Sequence, residues 1–221
     1  MPPLHKYLFR CRQFAGQSYI KTLSMNGLTE VSNLTKYIVE PVRKNLDKKL
    51  ETYRYYDVCN EDDLTTDNKG VDIISHQLEL QFEGRAPIFV SWATIDGWFQ
   101  YSLCVSETSF CKGVETFAKK DNHWTDIVGK RLRRFEVYGY RENVVTSTET
   151  ATGRTTKETY QNEPHLLILH FDNERLLGVA NFYLEDDFVP KYPMGDDVWI
   201  IFGKSYIDNY IETLSLELLD V

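Results

Sequence analysis

The stretch "HLLILHFDNERLLGVANF" (165–182) repeats, in altered form, a stretch 89 residues earlier, "HQLELQFEGRAPIFVSWA" (76–93). At that offset His76 falls on His165, Leu78 on Leu167, Leu80 on Leu169, Phe82 on Phe171, Glu83 on Asp172 and Val90 on Val179. Each copy has an apolar run, a turn signal (Glu83-Gly84 or Asp172-Asn173) and a second apolar run. Gly and Asn tolerate the positive φ of a tight turn, so both copies are expected to form β-hairpins. In "QLELQF" (77–82) Leu78, Leu80 and Phe82 alternate with Gln77, Glu79 and Gln81, which predicts one wet face. "LLILHF" (166–171) is apolar at both parities and should be buried on both sides.

The repetition extends upstream, where "FAGQSYIKTL" (14–23) resembles "IVGKRLRRFEV" (127–137) and sets Gly16 on Gly129. On that alignment the first unit carries about 24 extra residues before its hairpin. In "EPVRKNLDKKLETYRYY" (40–56) Val42, Leu46, Leu50 and Tyr53 recur at helical spacing, and Pro41 suits a first turn. The extra residues are therefore expected as a helix over 41–56, with Lys44, Asp47, Lys48 and Glu51 facing solvent. The Thr-rich stretch between 139 and 164 predicts a long solvated hairpin turning near Thr152-Gly153. Near the end Leu214, Leu216 and Leu218 alternate with Ser215 and Glu217, which predicts a last strand. The expected fold is α+β and β-dominated: antiparallel sheets from two pseudo-repeated strand units, with one helix inserted in the first. The units span 1–118 and 119–221, packed as one pseudo-symmetric body.

Fourteen Tyr, twelve Phe and four Trp among 221 residues agree with a strand-rich core. The net charge of −8 repels phosphate backbones, so nucleic acid is not an expected partner. "MPPLHKYLFRCRQF" (1–14) has no apolar signal core, and no stretch approaches the ~18 apolar residues of a membrane span. A cytoplasmic location without membrane attachment is the expectation. Cys11, Cys59, Cys104 and Cys111 form no CxxC pair and are expected to be reduced.

No nucleophile elbow, phosphate loop or dinucleotide fingerprint occurs. His165 and His170 are five apart on a predicted strand and point to opposite faces, which argues against a shared metal. His76 and His165 hold equivalent repeat positions. Cys104 with His123 or His165 is a conceivable dyad, set against the commoner buried thiol. Trp92, Trp98, Phe99 and Tyr101 read as core packing around a turn at Gly97. The basic run "KRLRRF" (130–135) is expected to pair with the protein's own carboxylates. No metal, cofactor or catalytic residue is assigned.

The most pronounced polar feature is "EDDFVPKYPMGDD" (185–197). Glu185, Asp186, Asp187, Asp196 and Asp197 bracket Phe188, Tyr192 and Met194: aromatic and apolar anchors inside a charged rim, as a docking surface for a basic protein requires. "NEDD" (60–63) adds a second acidic patch. The acidic, β-rich chain, with a unit opening on "WTDIVGKRL" (124–132), resembles the small immunity proteins of bacterial polymorphic toxin systems. The resemblance covers mainly 124–203. It implies a non-catalytic protein that binds a cognate, basic toxin domain and blocks it, with the 185–197 loop as the contact. A carboxylate-dependent hydrolase using Asp172, Asp186, Asp187, Asp196 and Asp197 is the alternative, and a structural or interaction protein a third reading. Carboxylates converging in a pocket would favour the hydrolase.

Overall fold

The computed structural model describes residues 33–56, 65–67, 70–93, 102–110, 116–117, 122–150, 153–184, 190–193 and 197–219. For 65–67, 116–117, 122, 142–150, 153–161, 183–184 and 190–193 it describes the backbone alone. A π-helical turn, Thr35–Val39, leads into α1 (Glu40–Arg43) and then β1 (Leu50–Tyr56). β2 (Thr65–Asp67), β3 (Val71–Ile74), β4 (Gln77–Phe82), β5 (Ile88–Ala93), β6 (Ser102–Ser106) and β7 (Thr116–Phe117) follow. After α2 (Asn122–Thr125) come β8 (Leu132–Thr150), β9 (Gly153–Phe171), β10 (Leu176–Ala180) and β11 (Phe182–Leu184). β12 (Pro190–Pro193), β13 (Val198–Ile201), α3 (Lys204–Leu214) and β14 (Glu217–Leu218) complete the chain.

The strands form a five-stranded antiparallel sheet in the order β6-β5-β4-β1-β7 and a seven-stranded one in the order β14-β8-β9-β10-β13-β3-β2. The fold is α+β and β-dominated. The seven-stranded sheet is the middle layer. On β9, Leu167, Leu169 and Phe171 join the core shared with the five-stranded sheet, whereas Leu166 and Ile168 join a second core under α3. β9 lies between β8 and β10 and buries both faces, as its two apolar parities require.

Both quoted stretches are hairpins in one register. Leu78 pairs with Val90 and Leu80 with Ile88 in the first, and Leu167 with Val179 and Leu169 with Leu177 in the second. All four leucines on the leading strands are fully buried. The correspondence continues to the neighbouring strand, but not at Gly16, which lies outside the described residues. The structural counterpart of Gly129 is Asp47. Both hold a positive φ (82° and 60°) directly after a short helix and turn. "DKKLETY" (47–53) and "GKRLRRF" (129–135) then lead into β1 and β8 alike. Each strand also carries a bulge at its start, between Leu50 and Thr52 and between Leu132 and Arg134.

These two strand starts meet about a local two-fold relation centred on an antiparallel bridge between Lys49 and Arg131. Asp47 N–H donates to the Leu132 carbonyl (2.8 Å), and Gly129 N–H to that of Leu50 (2.7 Å). Leu50 N–H donates to Lys130 (2.9 Å) and Leu132 N–H to Lys48 (3.0 Å). These reciprocal bonds satisfy backbone groups that would otherwise be stranded where two sheets abut.

Three expectations are corrected. The helix over 41–56 stops at Arg43; Asp47 breaks it, and Leu50–Tyr56 is strand β1. The β1 bulge puts Leu50 and Tyr53 on the same face three residues apart, which imitates a helical repeat. The predicted last strand is mostly α3, whose Ile207, Tyr210 and Leu214 face the second core. Only Glu217–Leu218 is extended. The expected wet face of β4 is buried at Gln77 and Glu79, and only Gln81 is half-buried. Gln77 donates to Ser109 Oγ (2.8 Å) and accepts from Phe110 N–H, and Glu79 accepts from the Tyr56 hydroxyl beside Arg54. The long hairpin is present, with β8 and β9 paired out to Thr150–Gly153.

Candidate partner-binding surface

Strands β11 and β12 form a small two-stranded sheet separate from the two large ones. Phe182 pairs with Pro193, Tyr183 with Tyr192, and Leu184 with Pro190 across a bulge. Its root is fixed by Phe182, fully buried and edge-on to Trp199 and Tyr210 at 5.7 Å centroid distances. Trp199 Nε1–H donates to the Phe182 carbonyl (3.1 Å), so the hairpin base is held by both packing and a hydrogen bond. The chain from Glu185 to Val189 connects these strands. Glu185, Asp186, Asp187, Phe188, Met194 and Asp196 lie outside the described residues. Tyr192 is described as backbone within β12, and Asp197 is half-buried just before β13.

The carboxylates proposed for a hydrolase are not gathered where they can be followed. Asp172 is exposed in the turn at the Leu176 end of β10. Asp197 precedes Val198 at the other end, where Ala180 pairs with Trp199. They therefore lie at opposite ends of the same strand.

Cys104 is buried in β6, and burial pushes its thiol up to about 12, so it stays protonated and unreactive at neutral pH. His123 stacks on Phe202 at 5.2 Å beside a cleft of about 130 Å³ also lined by Asp126, Arg175 and Lys204. That volume is well below the ~300 Å³ at which small-molecule pockets begin. Arg175 pairs with Asp126 (2.7 Å) and Lys204 with Asp208 (2.6 Å).

His165 sits in a buried polar cluster that its sequence position did not reveal. Its Nδ1 lies 3.2 Å from Asn181 Oδ1, and its Nε2 3.9 Å from Glu163 Oε2. The Asn181 contact assigns the proton to Nδ1 and turns Nε2 toward the carboxylate. His165 Nε2 and Glu163 Oε1 have no hydrogen-bond partner. The cluster has no route for substrate, being 1% and 3% exposed at His165 and Glu163. Glu163 and Asn181 are 18 residues apart, so only the β9–β10 pairing brings them together. His170 is separate, beside Glu136 (3.4 Å).

Trp124, which opens the quoted "WTDIVGKRL", is core. It stacks on Tyr53 at 3.8 Å and packs edge-on to Phe202. Trp92 also packs against the first core, while Trp98, Phe99 and Tyr101 lie outside the described residues. In the basic run, Arg131 pairs with Glu83 (3.7 Å), Arg133 with Asp47 (2.7 Å) and Arg134 with Glu136. Among the described residues no three His, Cys, Asp or Glu side chains gather as a metal site, and no helix is long and apolar enough to cross a membrane. Neither a family model, a curated protein nor a solved structure matches this chain.

Proposed function

We propose that this chain is a non-catalytic binding protein, an immunity protein that binds a cognate toxin and blocks it through an acidic surface. The observation that carries this reading is the β11–β12 hairpin, which is hydrogen-bonded into neither large sheet and is rooted by the buried Phe182 on Trp199 and Tyr210. A hairpin built this way can present the Glu185–Phe188 connection without spending core stability on it. The carboxylates would steer a basic partner, and Phe188 would supply the desolvated anchor. The hydrolase reading has less support, because Asp172 and Asp197 stand at opposite ends of β10.

The test is co-expression and co-purification with the product of the neighbouring gene, followed by binding kinetics. Replacing Asp186, Asp187, Asp196 and Asp197 with Asn should slow association and flatten its salt dependence. Phe188→Ala should speed dissociation, by about 2 kcal/mol if it is a hot spot. A partner indifferent to both changes would place the contact elsewhere.

A further inference from the structure

Strand β9 turns His170 toward α3. His170 shares its parity with Leu166 and Ile168 of the second core, and it pairs with Arg134 of β8 on one side and Leu176 of β10 on the other. Leu176 in turn lines the cleft at the start of α3, with Phe202, Gly203 and Lys204. His170 Nε2 lies 3.4 Å from Glu136 Oε1 but is buried without a hydrogen bond. That carboxylate already binds Arg134 and accepts from the Tyr138 hydroxyl (3.5 Å). The charged groups acting on His170 are therefore Arg134 and Glu136 from β8 and Lys204 from α3. Two cations stand against one carboxylate.

The start of α3 is weakly secured. Gly203 supplies no side-chain cap, the first turn has no acidic residue, and Lys204 sets a cation at the positive end of the helix dipole. Lys204 pairs with Asp208 at 2.6 Å, and both side chains are largely exposed. Burial holds the helix instead. Ile207 sits over Gly178, where a Cβ would lie 3.2 Å from it, and Tyr210 packs edge-on to Phe182 and Trp199. We propose that His170 is an acid-operated latch, whose protonation releases α3 from the seven-stranded sheet while the sheet itself stays folded.

Ladders to β8 and β10 hold His170 in place from both sides, so the helix is the element that yields to a new charge. Burial, and next the Arg134 charge, keep the His170 pKa below its ordinary 6.5 while α3 is docked. With α3 away, the ring gains water and loses the Lys204 charge, and its pKa returns toward the ordinary value. The undocked form therefore takes up the proton first. Docking is at full strength above about pH 6.5 and weakens as pH falls through the docked-state pKa. Tyr210 of α3 is one wall of the Phe182 root, so acid loosens the β11–β12 hairpin as well.

Amide hydrogen exchange of the full chain, read by mass spectrometry from about pH 7.5 down to about pH 5, tests the latch. Rates are normalised to the intrinsic exchange rate at each pH. Peptides from α3 should lose protection as the pH falls, while those from β9 and β10 keep theirs. His170→Gln should leave α3 protected across the whole range. Lys204→Gln, at an exposed position, removes one of the two opposing cations and should diminish the loss. The proposal is overturned if α3 and the sheet lose protection together, if α3 protection does not change with pH, or if His170→Gln opens like the parent. Should His170→Gln not fold, Lys204→Gln decides: an acid loss equal to the parent's overturns the latch.

Discussion

The indole N–H of Trp124 donates to the hydroxyl of Tyr55 at 2.6 Å, and that hydroxyl in turn donates to Asp72 at 2.7 Å. The chain of bonds joins α2, β1 and β3, and so ties the five-stranded sheet to the seven-stranded one inside the shared core. Burial, and next the Asp72 charge, raise the Tyr55 pKa well above its ordinary value and keep the hydroxyl a donor. Tyr55→Phe takes away the acceptor of Trp124 and one donor to Asp72. A loss of about 1–3 kcal/mol is expected in urea or thermal unfolding.

Truncation at equivalent repeat positions should have similar effects. Leu80 and Leu169 are both fully buried in the shared core. Leu80→Ala and Leu169→Ala should each cost about 2–5 kcal/mol by denaturant titration. If only one proves costly, the two hairpins do not carry equivalent core.

Two glycines should rank in a definite order. A Cβ at Gly139 would run into the Glu163 carbonyl, at the point where β9 bulges. Gly129 has open space around it and needs only its positive φ. Gly129→Ala should cost about 1 kcal/mol. Gly139→Ala should cost distinctly more, read as a larger fall in melting temperature.

His170 predicts a pH dependence. Burial, and next the Arg134 charge, lower its pKa below the ordinary 6.5. The unfolded chain therefore takes up this proton at a higher pH than the folded one. The associated stability is present above about pH 6.5 and is lost as pH falls through the folded pKa. His170→Gln should flatten the slope of stability against pH in that window, measured by urea midpoints at successive pH values.

Cys104 should resist alkylation. With its thiol held near 12, iodoacetamide at neutral pH should leave the Cys104 peptide unmodified in the folded protein and modify it in urea. Mapping by mass spectrometry separates it from the other three cysteines. Rapid labelling in the native state would revive a nucleophilic role.

The hairpins were legible because Leu78, Leu80, Leu167 and Leu169 repeat at period two, and both copies share one turn length. Elsewhere the local pattern misled. The β1 bulge spaced Leu50 and Tyr53 like helix residues, and Leu214, Leu216 and Leu218 imitated a strand although Ile207, Tyr210 and Leu214 are helix-spaced. Gln77 and Glu79 looked solvent-facing because their partners, Ser109 and Tyr56, come from distant parts of the chain. The acidic loop was legible as composition alone; most of it lies outside the described residues. The Glu163–His165–Asn181 cluster depends on strand pairing and left no contiguous signal.

The strand exchange that places β3 beside β13 has a consequence for biosynthesis. Val71 pairs with Ile201, about 130 residues later in the chain. At roughly 5–20 residues per second, β3 emerges on the order of ten seconds before its partner exists. Val71, Ile73 and Ile74, all buried in the finished protein, must wait that long without their permanent cover. The first half of the chain therefore cannot finish folding until the stretch that carries β13 has been made.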